Sequence, residues 1–302
     1  FTESHQTEGE SVIMLLELNP NYFTILIEDL KNNDLEETSK NLAKKALKKF
    51  KDPGFILCTN GMSVDNIILD GNLIIRSIEE VIGPSANITG GMAGDDWILK
   101  SSYIFTHHFE TNLGIAALVF DQEKVSLKGM AISGWKPIGI SRTITKCEGT
   151  YLHTIDDKPA LDMYLKYLGA SYDDNQEKYH LFENVAQHYP FLVERESGAS
   201  MMATPMMVDK ESKALICDVS LRQGSKLSFT MPPDFDFVEE VLDKARELKK
   251  TSNSSGEALL IFSCAGRVTV LGPLANLENQ GLAQVWQTPM VGFYTYGEFG
   301  RA

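Results

Sequence analysis

Two short stretches near the end of the chain carry the residue types best suited to hold a small charged molecule: Phe262-Ser-Cys-Ala-Gly-Arg267 and Gly292-Phe-Tyr-Thr-Tyr-Gly-Glu-Phe-Gly300. A guanidinium at Arg267 can grip a carboxylate through a two-point fork, and a carboxylate at Glu298 can accept an ammonium. Together they would hold both charged ends of an amino acid; equally, they could pair with each other across the strand ends. Cys264 reads either as a small buried hydrophobe at a strand end or as a pocket thiol whose pKa is lowered by Arg267. Tyr294 and Tyr296 alternate around Thr295, so they should share a sheet face, as core aromatics or as a pocket wall. Nucleophilic catalysis at Cys264 would also need a base. His5, His107, His108, His153, His180 and His188 stand in no recognisable triad context, so the expected chemistry is binding and the chain is not read as an enzyme.

A second set of candidates lies in the first half, at Asn60 and in Gly90-Gly91-Met-Ala-Gly-Asp95-Asp96. Bare glycine amides can cradle a phosphate, but the segment has neither the GxGxxG spacing nor a Lys-Ser/Thr ending, and a tight turn is the better reading. Asp95 and Asp96 do not supply the six to eight oxygens that a hard cation takes. His107-His108 is where a haem ligand would be sought. If the segment from Tyr103 is a strand, the two imidazoles point to opposite faces and one at most enters the core. No CxxCH attachment motif is present, so no cofactor is expected, with haem as the alternative.

These residues need a folded scaffold, and the composition provides for one. The chain has 302 residues with 43% hydrophobic and 23% charged, an ordinary globular mixture large enough for two lobes. A net charge of −13 disfavours nucleic acid as a partner, since a polyanion would meet a repulsive average field. The four cysteines are scattered with no CxxC pair, which points to a reducing, cytoplasmic setting. No apolar run is long enough to span a bilayer, so no membrane partner is expected. The chain starts at Phe1 and stops just past a glycine turn, and is read as lacking flanks that complete both lobes.

Helical spacing is clear in 36–51, in Leu73–Ile82 ending at Gly83-Pro84, in 159–168 and in 237–250. The lysines of the first helix read as a solvated face. Strands are expected at Ser11–Leu18 with a hairpin into 22–27, at 55–58, 103–108, 114–120, 125–133, 142–148, 191–195, 201–204, 214–219, 226–229 and 259–264, with exposed connections at 170–179 and 251–256. The most useful signal is an internal repeat. Cys58 and Cys264 each end a buried apolar strand, and Cys58 to Gly94 and Cys264 to Gly300 are both 36 residues. In that register Thr89 matches Thr295 and Gly91 matches Gly297. The expected architecture is α+β: two related lobes of layered, mostly antiparallel or mixed sheets flanked by helices, spanning 1–134 and 135–302, with Trp135-Lys136-Pro137 as the connection. Strand ends of equivalent topology should bring Asn60, Gly91 and Asp95 near Cys264, Arg267, Tyr294, Tyr296 and Glu298.

With Ile88-Thr-Gly-Gly-Met-Ala-Gly-Asp-Asp96, Gly134-Trp-Lys-Pro-Ile-Gly139 and the two C-terminal motifs, the sequence resembles the FIST family, described in an N and a C part and found in bacterial signalling proteins and a human F-box protein. The resemblance implies a cytoplasmic sensory domain that binds a small ligand such as an amino acid and passes the signal to an output protein such as a histidine kinase or chemoreceptor. It further implies, as alternatives, a haem-binding nitric-oxide sensor or a protein-interaction platform.

Overall fold

A computed structural model describes residues 1–3, 9–31, 33–62, 68–172, 180–195, 200–234, 236–252, 256–272 and 274–300. It divides into unit 1, Phe1–Ile132 with Phe235–Ala302, and unit 2, Ser133–Asp234. The chain therefore leaves unit 1 once and returns to it once.

Unit 1 begins with β1 (Phe23–Asp29), α1 (Leu35–Lys49), β2 (Pro53–Asn60), α2 (Gly71–Ile82) and β3 (Asn87–Ala93). The two-residue strands β4 (Ile104–Phe105) and β5 (Glu110–Thr111) and then β6 (Gly114–Asp121) complete its first part. Helix α1 forms where its sequence signals it: Asp34 caps the Glu37 amide at 2.9 Å, and Glu36, Glu37, Lys48 and Lys49 oppose the helix dipole in the right order. Helix α2 starts at Asp70, which caps the Leu73 amide at 3.1 Å, and stops at Gly83 with φ 113°. Their apolar stripes, with Leu42, Ala46, Ile74 and Ile78, cover one sheet face and meet Phe55, Leu57, Ile115 and Val119 in a closed core. The α1 lysines form a solvated face, with Lys40 reaching Glu36 at 2.6 Å and Glu80 at 2.7 Å.

Unit 2 holds a separate sheet built from β7 (Lys136–Glu148), β8 (Tyr151–Ile155), β9 (Lys158–Pro159), β10 (Phe191–Glu194), β11 (Ser200–Ala203), β12 (Pro205–Asp209), β13 (Ala214–Cys217) and β14 (Lys226–Met231). Its strand order is β11-β10-β14-β7-β8-β13-β12, with β9 beside β8. Helix α3 (Ala160–Leu168) closes its core through fully buried Tyr164, whose hydroxyl donates to the Tyr189 carbonyl at 2.8 Å. Trp135 is held within this unit by its indole N–H on the His188 carbonyl at 2.8 Å, and the crossing from unit 1 falls just before it, at Ile132/Ser133.

Back in unit 1 come α4 (Phe237–Thr251), β15 (Leu259–Cys264), α5 (Ala265–Leu271), α6 (Leu274–Trp286) and β16 (Met290–Phe299). All six long strands of this unit form one sheet in the order β1-β6-β2-β3-β16-β15. The repeat seen in the sequence is thus β2-α2-β3 against β15-α5-α6-β16, each a parallel pair, with β3 and β16 antiparallel at the join. That arrangement is a topological two-fold inside one sheet. In the first copy Cys58 faces Gly91; in the second Cys264 faces Thr295, two residues earlier than the register of the repeat. A slip of two leaves every side chain on its original face.

Three expected strands differ. Ser11–Leu18 joins no ladder: Ile13 and Leu15 are 81% and 91% exposed, and β1 pairs instead with β6, whose other side is taken by β2. The outer edge of β1 pairs with no other strand among the described residues, so the hairpin expected from 11–18 into 22–27 does not form. The 125–133 segment is likewise unladdered, and side chains engage its carbonyls instead, Asn87 at Leu127 and Arg267 at Ile132. Between Tyr103 and His108 only Ile104 and Phe105 are strand. Within the connections expected at 170–179 and 251–256, residues 173–179 and 253–255 lie outside the described residues.

Candidate ligand site

The sheet register draws the two strand ends into line. Asn60 at the end of β2 lies opposite Ala93, Ala93 opposite Thr295, and Thr295 opposite Cys264 at the end of β15. The glycines make this close join possible. A Cβ on Gly91 would come within 2.5 Å of Thr295 Cγ2, and one on Gly90 within 1.9 Å of the Leu57 carbonyl oxygen. The glycine segment is thus strand through Ala93 rather than the tight turn that its composition suggests.

On the β2/β3 side the polar groups are built into the fold. Asn60 is fully buried, donating to the Ser102 carbonyl at 2.7 Å while its Oδ1 accepts the Gly114 amide at 2.7 Å. Asp95 organises the loop after β3: its carboxylate accepts the amides of Leu99 at 3.0 Å, Lys100 at 2.7 Å and Ser101 at 3.0 Å, and the Tyr296 hydroxyl at 2.7 Å. Tyr296 in turn accepts the Trp97 amide at 2.6 Å, and the two rings lie 5.2 Å apart. These bonds hold Asp96, Trp97 and Leu99 at positive φ, a conformation costly for non-glycine residues.

Burial raises the Asp95 pKa, but the amides of Lys100, Ser101 and Leu99 and the Tyr296 hydroxyl outweigh it, leaving the net value below normal. A depressed carboxylate contributes stability above its unfolded pKa of about 3.9 and loses that contribution as pH falls through the lower folded value. Asp95→Asn should therefore cost about 1 to 2 kcal/mol in urea unfolding at pH 7, the range of exposed charge-assisted bonds. The gap from wild type should narrow as pH falls below the ordinary carboxylate range and through the lower folded value. A gap independent of pH would remove the charge from the explanation.

On the β15/β16 side Cys264 ends β15, Arg267 sits in the first turn of α5, and α6 brings Glu278 and Asn279 beneath them. Arg267 pairs with Glu278: Nη1 donates to Oε1 at 2.8 Å, with the side chains only 12% and 3% exposed. Nη2 donates to the Ile132 carbonyl, and the guanidinium carbon lies 4.9 Å from the centre of the Phe237 ring. Arg267 Nε and Glu278 Oε2 are buried with no hydrogen-bond partner among the described residues. Glu298 is exposed and takes its own contact, lying 2.5 Å from the Thr295 hydroxyl, which also stands 3.1 Å from the Ser263 carbonyl and can donate to only one of the two at a time.

Burial pushes the Cys264 thiol up to about 12 and the charge of Glu298 adds to the rise, while Arg267 and the amides of Gly266 and Arg267 pull down without prevailing. The thiol is neutral at pH 7. Tyr294 rests on Phe1 with ring centroids 5.1 Å apart, its hydroxyl is 3.5 Å from Asn279 Nδ2, and burial raises its pKa. The sequence candidates therefore fall into two groups across the β3/β16 join: Asn60, Asp95 and Tyr296 on one side and Cys264, Arg267 and Tyr294 on the other, with Gly91 and Glu298 opposite each other between them.

Glu278 is the residue that sequence reading missed. Its signal lies in α6, where Ala275, Glu278, Asn279, Leu282 and Trp286 are all buried at helical spacing. A carboxylate on an apolar stripe needs a partner.

His107 and His108 lie in the bend between β4 and β5, exposed, with ring centroids 3.8 Å apart and not on opposite strand faces. Two adjacent solvent-exposed rings do not make the apolar cleft that haem requires, so these residues do not fit the group. No cluster of three or more His, Cys, Asp or Glu side chains among the described residues is placed to hold a metal ion. Two surface clefts lie apart from the buried pair, one of about 660 Å³ lined by Glu3, Gln280, Gln284 and Gln287, the other by Arg246, Lys249 and Lys250.

A duplicated strand–helix–strand unit whose two copies share one sheet, with a buried Arg267–Glu278 ion pair on the helices of the second copy, defines an α+β class of domain. The chain belongs to the FIST family: the FIST N domain model matches residues 1–158 and the FIST C domain model residues 160–301. FIST domains are sensory domains of signalling proteins. No curated protein and no solved structure matches the chain. No helix among the described residues is long and apolar enough to cross a membrane.

Proposed function

We propose that this domain senses a free α-amino acid held by the paired Arg267 and Glu278, and reports it to a cytoplasmic signalling output protein such as a histidine kinase or chemoreceptor. The observation that carries the reading is the pair of unused valences: a guanidinium Nε–H suited to a carboxylate and a carboxylate oxygen suited to an ammonium, both on one buried pair. A buried polar atom with no partner costs about 1 to 3 kcal/mol, and an amino acid would relieve two such costs at once. The neutral Cys264 thiol favours binding over nucleophilic catalysis.

A thermal-shift screen of amino acids tests this. One present at about 100 times its dissociation constant adds roughly 2.7 kcal/mol of stability. Stabilisation by amino acids, absent with their N-acetyl and amide derivatives, is the expected pattern; equal stabilisation by the blocked derivatives would contradict it.

A second reading is favoured by one feature. Trp97, Ile98, Tyr103, Phe105 and Phe109 are all large, apolar and exposed around the loop that Asp95 braces, as a protein-interaction platform would display them. That reading requires a partner protein whose binding is weakened by Trp97→Ala and indifferent to Glu278→Gln.

A further inference from the structure

We infer that the chain forms a two-fold dimer by strand exchange, in which residues 11–18 of each copy add to the open edge of β1 in the other. The inference is independent of the amino-acid reading and of the residues around Arg267.

Two parts of unit 1 are incomplete in complementary ways. The first is the outer edge of β1. Asp121 donates its amide to the Tyr22 carbonyl and Leu30 donates to the Leu113 carbonyl, both at 2.9 Å, so alternation turns the backbone of Thr24, Leu26 and Glu28 towards β6. The amides and carbonyls of Phe23, Ile25 and Ile27 therefore face outward, where no strand among the described residues pairs with them. Asn33 closes the far end by donating to the Asp29 carbonyl at 3.0 Å. Over 23–27 the edge carries neither Lys nor Pro, the residues that ordinarily guard an edge against another chain. Ile25, at its middle, is 45% exposed.

The second part is 11–18. None of its amides or carbonyls bonds to a described residue, its one charge is Glu17, and Ile13, Leu15 and Leu16 all stand exposed. An apolar run with a bare backbone is what a bare sheet edge takes up.

The turn between the two parts decides against pairing within one chain. Tyr22 donates its amide to the Asn19 carbonyl at 2.9 Å, so 19–22 is a β-turn with Pro20 at its second position. A two-residue hairpin takes a type I′ or II′ turn, with positive φ at that position, and proline holds φ at about −65°. Neither Asn21 nor Tyr22 has positive φ, so the turn also lacks the left-handed residue that a three-residue hairpin places after a type I turn. A type I turn splays its flanking strands, and this one directs 11–18 away from its own β1. A second copy offers the same edge with no turn to satisfy. Each copy carries one segment and one edge, so mutual exchange satisfies both and closes with two-fold symmetry.

Sedimentation velocity on the full chain tests the exchange. Wild type should show a monomer–dimer equilibrium that shifts to dimer between about 1 and 100 µM. Leu15→Lys and Ile25→Lys alter side chains that already face water, so each variant should fold, and each should weaken dimerisation by about tenfold or more. Pro20→Asn with Asn21→Gly supplies a type I′ turn and should yield monomer, with 11–18 closing on its own β1. A wild type that stays monomeric at every concentration would overturn the exchange, as would a dimer indifferent to both lysines or one that persists with the type I′ turn. A dimer broken by only one of the lysines would overturn it too: Ile25→Lys alone would mean that two β1 edges pair directly, and Leu15→Lys alone that the segments cluster with each other.

Discussion

Gly90→Ala should leave the protein largely unfolded, with a loss of more than about 4 kcal/mol, among the largest effects a single substitution produces. Two causes coincide. Gly90 has φ 147°, a backbone region in which an L-residue is strained. Its added Cβ would lie 1.9 Å from the Leu57 carbonyl oxygen, and that obstacle is backbone of the paired strand rather than a side chain that can turn aside. The substitution can be accommodated only by parting β2 from β3, which breaks the ladder on which the β3/β16 join depends. Urea unfolding checks this: a Gly90→Ala protein within about 1 kcal/mol of wild type would show that the strands do not approach so closely.

Removing either member of the buried ion pair should be nearly as damaging, while removing both should not. Arg267→Met leaves the Glu278 carboxylate buried without its cation, and Glu278→Leu leaves a guanidinium in the same position. Each should cost about 3 to 5 kcal/mol, whereas the double variant, with two apolar side chains of similar volume, should recover most of that loss. A double-mutant cycle by urea unfolding measures the coupling directly. Additive losses would mean that the two side chains act independently, and the shared site would then have no energetic basis. The pair is a poor device for stability, since an apolar pair would serve as well, and the unsatisfied atom on each partner is the observation on which the proposed binding rests.

Much of this was legible in the chain because the signals are local. Helices α1 and α2 announce themselves by Asp34 and Asp70 as caps, by stripes at helical spacing and, for α2, by Gly83 as the stop. The repeat was legible too, since both copies keep the order of strand, helix and strand. What local pattern does not carry is pairing. Ser11–Leu18 is as apolar as β1, yet β1 pairs with β6 and its outer edge pairs with no other strand among the described residues. Nor does local pattern say that the two copies of the repeat lie side by side in one sheet, which depends on a stretch of Gly90 and Gly91 that reads as a turn and forms a strand.

The candidate site shows the same division. Arg267, Cys264 and Tyr294 stand in glycine-flanked motifs at strand ends and could be singled out from residue type alone. The partner of Arg267 could not, because Glu298 stands within those motifs while Glu278 lies outside them, on helix α6. Asp95 carries a structural signal rather than a ligand-binding one. A carboxylate followed by a run of backbone amides needs no ligand, and its four donors come from Leu99, Lys100, Ser101 and Tyr296.

The central claim, that the Arg267–Glu278 pair receives an amino acid, is tested most directly by isothermal titration of glycine into wild type and into Glu278→Gln, whose side chain keeps its shape but loses the charge that meets the ammonium. The account predicts saturable binding to wild type that weakens by about tenfold or more in the variant, as expected for the loss of a buried charge-assisted bond. Equal affinity in the two proteins would contradict it.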